Sequence, residues 1–135
     1  MQSSVPENQA IDAARAPRVL VVEDEFLVRM VIADRLREAG FTVIEAFNGD
    51  EAIAILASGA SVDLVLTDVR MPGTADGIAV LSFVKQTCPE VPVVVTSGHL
   101  EAEIAYEEGA IHFLPKPCAL DAIVEAMRAA LEPSK

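Results

Sequence analysis

Short apolar runs recur along the chain at Val19–Val22, Val43–Ala46, Leu64–Thr67, Val93–Thr96 and Ile111–Leu114. Their length and their richness in β-branched residues predict five buried strands. Longer segments with helical spacing lie between them. The clearest is Leu120, Ile123, Val124, Met127 and Leu131, an i, i+3, i+4, i+7 stripe. Val28, Ile32, Leu36 and Ala39 form another, which Gly40 stops. Asn48, with Glu51 three residues on, predicts a capped start for a third helix. Ile78–Gln86 gives a fourth, closed by Pro89. Leu100–Glu108 is the weakest, with few apolar anchors before Gly109.

Strands that alternate with helices predict a parallel sheet covered on both faces. Val19–Val22, Leu64–Leu66 and Val93–Val95 are continuously apolar and belong at the centre. The second strand carries Thr42 and Glu45 and the fifth carries His112, so these two belong at the edges. The expectation is an α/β fold, a doubly wound five-stranded parallel sheet of order 2-1-3-4-5, the flavodoxin-like (β/α)5 arrangement. Residues 1–17 are polar and Ala-rich and end in Pro17. They read as a flexible N-terminal tail with a short helical piece around Ala10–Arg15. The domain is predicted over residues 18–132, with 133–135 as a C-terminal end.

Composition narrows the class. The chain has 135 residues, 52% of them hydrophobic, enough for one domain with a real core. Only 4% are aromatic, so Val, Ile, Leu and Ala must fill that core. The net charge of −11 argues against direct binding to DNA or to anionic membranes, since phosphate contacts need Lys and Arg. Cys88 and Cys118 are far apart, form no CxxC and read as free thiols, which fits a reducing compartment. No apolar run reaches the roughly 18 residues of a spanning helix. The start of the chain lacks the features of a secretory signal. The expected location is the cytoplasm.

Chemistry concentrates at the strand ends. Glu23, Asp24 and Glu25 follow the first strand, Asp68 the third, Ser97 the fourth and Lys116 the fifth. Singly, each reads as a cap, a turn residue or a solvated charge. Together they fall on the carboxyl edge of the sheet, where such folds bind ligands. Two unit charges ~4 Å apart at an effective dielectric of ~20 repel by about 4 kcal/mol. The acidic cluster therefore calls for a compensating cation, and a hard divalent ion with oxygen ligands is the natural one. Lys116 offsets part of the charge and suits a phosphoryl oxygen. An Asp carboxylate can act as nucleophile and form an acyl phosphate. Asp68 is then the candidate phosphoacceptor, and Ser97 a hydroxyl placed to hydrogen-bond the attached group.

These stretches resemble the receiver domain of two-component response regulators over roughly Arg18–Leu131. The matching segments are Val19–Glu25, Leu66–Gly73, Asp76-Gly77, Pro92–Gly98 and Phe113–Pro117. The resemblance implies that Asp68 takes its phosphoryl group from a histidine kinase's phosphohistidine, or from a histidine phosphotransfer protein. It implies Mg²⁺ (or Mn²⁺) held by Asp24, Asp68 and the main-chain carbonyl of Arg70, with Glu23 acting through water. Ser97 matches the switch hydroxyl, Phe113 the switch aromatic and Lys116 the phosphate-sensing lysine, with a cis bond before Pro117. Phosphoryl contacts would draw Ser97 and Phe113 inward and reshape the face of the fourth helix, fifth strand and fifth helix. Such a protein is a phosphoacceptor rather than an enzyme.

The departures are specific. Glu23 stands for Asp, Ser97 for Thr and Phe113 for Tyr, which removes a phenolic hydroxyl. The segment Gly73–Gly77 runs one residue longer than the pattern, and Cys118 stands where an aromatic is common. Arg70 and His99 flank the site, where the family sets the lifetime of the phosphorylated form. His99 otherwise reads as a surface residue and His112 as a strand-edge residue. The expected form is a stand-alone, chemotaxis-Y-like receiver, monomeric or weakly dimeric, that signals to an unidentified downstream protein. The alternatives are a receiver excised from a hybrid kinase and a silent receiver that acts without phosphorylation. A flavodoxin-like cofactor protein would need a phosphate loop after the first strand, where Glu23-Asp24-Glu25 would repel phosphate.

Overall fold

A computed structural model describes residues 15–132 except 72, 74, 99–101 and 108. Most of the expected tail, including all but Arg15 of the expected piece at Ala10–Arg15, therefore lies outside the described residues, as do 133–135 and His99. The elements run β1 (Arg18–Val22), α1 (Phe26–Glu38), β2 (Thr42–Ala46), α2 (Gly49–Ala57), β3 (Leu64–Asp68), α3 (Gly77–Thr87), β4 (Val93–Ser97), α4 (Ala102–Glu107), β5 (His112–Pro115) and α5 (Leu120–Ala130). The strands form one parallel sheet in the order β2-β1-β3-β4-β5, as predicted. Each predicted strand is found within a residue of its expected bounds.

Two apolar layers explain why both faces are covered. Alternate side chains of a strand point to opposite faces. Leu20, Val22, Val65, Val93 and Val95 pack with Val80, Leu81 and Val84 of α3 on one face. Val19, Val21, Leu64, Leu66 and Val94 pack with Leu36 of α1 and Ile123, Val124 and Met127 of α5 on the other. Every residue of β3 and β4 is buried, whereas β2 and β5 are only partly so, which accounts for the polar residues of the edge strands.

Local signals act as read. The side chain of Asn48 accepts from the Glu51 amide at 2.7 Å and starts α2, while Glu51 reaches back to the Phe47 amide at 2.8 Å. Gly40 takes a φ of +101° after α1, and the Phe41 amide returns to the Leu36 carbonyl at 3.0 Å. At the start of β1, Arg15 reaches Ser61 at 3.2 Å, and the Pro17 carbonyl accepts from Thr42 at 2.9 Å. Among the described residues no helix is long and apolar enough to cross a membrane. Cys88 and Cys118 are free and half-buried.

Candidate functional site

The strand order reverses between β1 and β3, and register sets their ends side by side. Val22 lies opposite Thr67, so Glu23 comes out abreast of Asp68. On the other flank Asp68 pairs with Thr96, and Ser97 with Pro115. Glu23, Asp68, Ser97 and Lys116 thereby meet at one edge of the sheet. Asp68 and Ser97 are the last residues of β3 and β4 rather than residues just past them.

Glu23 (3% exposed) and Asp68 (8%) are buried carboxylates, and Asp24 beside them is half-buried. Lys116 donates to Glu23 Oε1 at 3.0 Å and to Asp68 Oδ2 at 3.1 Å. Glu23 Oε2 accepts from the Glu25 amide at 3.1 Å. Asp24 makes no hydrogen bond or ion pair among the described residues. Burial pushes the Glu23 carboxyl above its ordinary 4.5, against the pull of Lys116 and the Glu25 amide. Burial works to lower the Lys116 ammonium, but its bonds to Glu23 and Asp68 outweigh this and hold it above its ordinary 10.5. Burial also raises the Cys118 thiol, two residues on, against the nearby charge of Lys116.

One oxygen each from Glu23, Asp24 and Asp68 lies within 4.8 Å of the others. Three acids face one ammonium, so the cluster carries excess negative charge. An all-carboxylate donor set with that excess suits a hard divalent cation such as Mg²⁺. Such an ion, when bound, offsets charge on a transferring phosphoryl group. The protein's own groups there are the Asp68 carboxylate and, beside it, the Lys116 ammonium as a fixed cation.

The surroundings hold this edge in place. The Val69 amide donates to the Thr96 carbonyl at 3.1 Å, and the Lys116 amide to the Ser97 carbonyl at 2.8 Å. Gly77, whose amide donates to the Val69 carbonyl at 2.8 Å, must be glycine, because a Cβ there would overlap the carbonyl oxygen of Asp68. The Lys116–Pro117 bond is cis. Arg70 is exposed on the loop leaving β3. Phe113 is half-buried against the core on the α3 face. Beside Lys116, an apolar groove of about 650 Å³ runs between α1 and α5, lined in part by Leu27, Val31, Cys118 and Ile123.

Two residues escaped the reading of the sequence. The Arg29 guanidinium reaches the Glu23 carbonyl at 2.8 Å. The Tyr106 hydroxyl accepts from the Phe113 amide at 3.2 Å. Tyr106 is the chain's single tyrosine, seven residues before the phenylalanine that lacks a hydroxyl, and no sequence signal marks the bond between them.

The family model described as the response regulator receiver domain matches residues 19–128. The chain belongs to that receiver family. This receiver is 40% identical over 116 residues to the DNA-binding transcriptional regulator NtrC of Salmonella typhimurium, covering 84% of this chain and 24% of that protein. It is 36% identical over 128 residues to the sensor kinase CckA of Brucella abortus, covering 92% of this chain and 13% of that protein. Among solved structures, the receiver domain of NtrX from Brucella abortus superposes with a TM-score of 0.78 at 37% identity, covering 86% of this chain and 99% of that one. The receiver thus spans about a quarter of NtrC and a smaller part of CckA.

Proposed function

We propose that this receiver accepts a phosphoryl group on Asp68 from the phosphohistidine of a sensor histidine kinase or histidine phosphotransfer protein. An Asp68 carboxylate oxygen forms the new bond to phosphorus. The bond from phosphorus to the imidazole nitrogen breaks, and its electron pair stays with the imidazole. Glu23, Asp24, Asp68 and the Arg70 carbonyl would hold Mg²⁺ or Mn²⁺, with Glu23 acting through water. Lys116 steadies the transferred oxygens. The observation that carries this reading is the triangle of Lys116 with Glu23 and Asp68, a fixed cation at 3.0 and 3.1 Å from two buried carboxylates at the carboxyl edge of the sheet.

The phosphoryl group then engages the hydroxyl of Ser97, and Phe113 follows it inward, which alters the face of α4, β5 and α5. The exposed Leu27 and Met30 of α1, beside the apolar groove, suit a docking kinase. The charge of −11 favours a protein target over nucleic acid. Because the chain spans a minor part of NtrC and CckA, the proposal concerns the phosphoacceptor step and the surface that answers it.

The test is direct. The protein is incubated with Mg²⁺ and acetyl phosphate and its intact mass measured. One labile phosphoryl group should be gained, and the gain should vanish in Asp68→Asn and with EDTA. Unchanged mass in the native protein would instead identify a silent receiver that works by binding alone.

A further inference from the structure

Asp24 has no side-chain partner among the described residues, so only the main chain aims it. The peptide that joins Glu23 to Asp24 is held from one side. Its carbonyl accepts from Arg29 Nη1 at 2.8 Å. The Glu23 amide, one peptide earlier, donates to the Ala46 carbonyl of β2 at 3.1 Å. Arg29 is itself fixed three ways. Its Nε donates to Glu45 Oε1 at 3.1 Å, its guanidinium carbon stands 5.5 Å from the Phe26 ring centre, and its side chain is only 13% exposed. Glu45 is held in turn by Arg37 at 3.2 Å.

We infer that Arg29 is a positioning residue for the acidic edge: it locks the 23–24 peptide and so aims the Asp24 carboxylate at Asp68. The inference rests on the reading of Glu23, Asp24 and Asp68 as metal-holding residues. Among the described residues Arg29 bonds the Glu23 carbonyl and Glu45, and makes no bond to the side chain of Asp24 or Asp68. A planar fork can serve Glu23 and Glu45 at once, and the shorter reach of a single ammonium cannot. A rotation about ψ of Glu23 that swung Asp24 away from the other two carboxylates would need the bond from Arg29 to the Glu23 carbonyl to break.

The experiment measures Mg²⁺ affinity by calorimetry with no phosphodonor present, and follows the Asp24 amide resonance by NMR. Arg29→Met should weaken Mg²⁺ binding by about tenfold, the low end for groups that orient a metal's ligands. It should also shift the Asp24 amide. Arg29→Lys, which keeps the charge and loses the fork, should show an intermediate loss. Arg35→Ala removes a different ion pair of α1, to Asp121 at 2.8 Å, and should leave both readouts unchanged. Should Arg29→Met fail to fold, Glu45→Gln loosens the same guanidinium and should weaken Mg²⁺ in the same direction. Unchanged affinity in Arg29→Met, or in Glu45→Gln where that variant stands in for it, overturns the inference. So does weakened affinity with an unmoved Asp24 amide, since Arg29 would then not act through the 23–24 peptide. If the native protein binds no Mg²⁺, the reading of the carboxylates falls and this inference with it. If the native protein binds and Arg29→Met binds equally, only this inference falls.

Discussion

The first and fourth helices cover opposite faces of the same sheet, and the chain holds them by different means. α1 has thirteen residues, buries Ile32, Ala33 and Leu36, and is tied down by arginines at both ends. Arg29 and Arg37 grip Glu45 on β2, and Arg35 grips Asp121 on α5. α4 has six residues; Ala105 is buried, and Tyr106 is half exposed with its hydroxyl on the Phe113 amide. The candidate metal-holding acids Glu23 and Asp24 lead into the first helix. Ser97 and Phe113, the candidate switching pair, bracket α4. A segment with few buried apolar contacts opens at lower free energy than one with many. Labour is divided: among the described residues, the side that would hold the ion is anchored by several ion pairs, and the side that would respond by one buried alanine and one phenol.

The largest effect is expected from attacking the anchored side. Leu36 is fully buried in the layer shared by α1 and α5. Leu36→Ala should cost about 2–5 kcal/mol, because both transfer energy and a cavity are lost. In urea the midpoint should fall with an unchanged slope and with all probes moving together, as a global transition requires. A loss confined to α1 would show that this helix is no more integrated than α4.

Lys116 joins the two sides, because it follows β5 and grips Glu23 after β1. Breaking a buried pair costs about 3–5 kcal/mol, and partial exposure of the lysine lowers the expectation for Lys116→Met to about 2 kcal/mol near neutral pH. The pH dependence has a definite sign. Burial holds the Glu23 carboxyl above 4.5, so the folded state binds its proton more tightly than the unfolded one. Stability from this group is present at low pH and lost as pH rises through the raised value. Removing Lys116 raises that value further. The deficit of the variant should therefore be greatest near neutrality and shrink as pH falls toward 4.5. The Lys116 contribution is complete below 10.5 and lost as pH rises through its raised folded value, so the gap should close in alkali too. Urea midpoints across this range check it, and a gap independent of pH would refute the assignment.

The division of labour was only partly legible in the sequence. The sheet could be read because its signals are local: apolar runs, the Asn48 cap, the stop at Gly40, and polar residues confined to the edge strands. The acidic edge could be read because a parallel sheet carries all its strand ends to one side, so residues far apart in sequence share a place by topology alone. Lys116 was expected to offset the carboxylates, and it does so on Glu23 and Asp68, 93 and 48 residues away. What could not be read was which side chain bridges to which main-chain atom. The hold of Arg29 on Glu23 and Glu45 depends on the register that sets Val21 beside Glu45. The bond of Tyr106 depends on where a six-residue helix sits against an edge strand. Neither has a periodicity. The loss of a hydroxyl at Phe113 was plain from the sequence, while the supply of one from Tyr106 to the same residue's amide was not.

That bond gives the smallest effect and the sharpest separation. Tyr106→Phe removes one acceptor and leaves the Phe113 amide without its protein partner. A hydrogen bond of this kind contributes about 0.5–1.5 kcal/mol net, and the half-exposed position of Tyr106 puts the expectation at the low end, since water can replace the phenol. The urea midpoint should barely move. Amide exchange at Phe113 and along residues 102–107 should quicken, while exchange in β1, β3 and α1 stays as it was. Leu36→Ala should do the reverse in kind and quicken exchange throughout, because it lowers the free energy of the global opening that every core amide shares. If Tyr106→Phe quickens exchange everywhere, α4 is part of the same cooperative unit as α1. If it quickens exchange nowhere, the hold on α4 lies in Ala105 and the backbone rather than in the phenol.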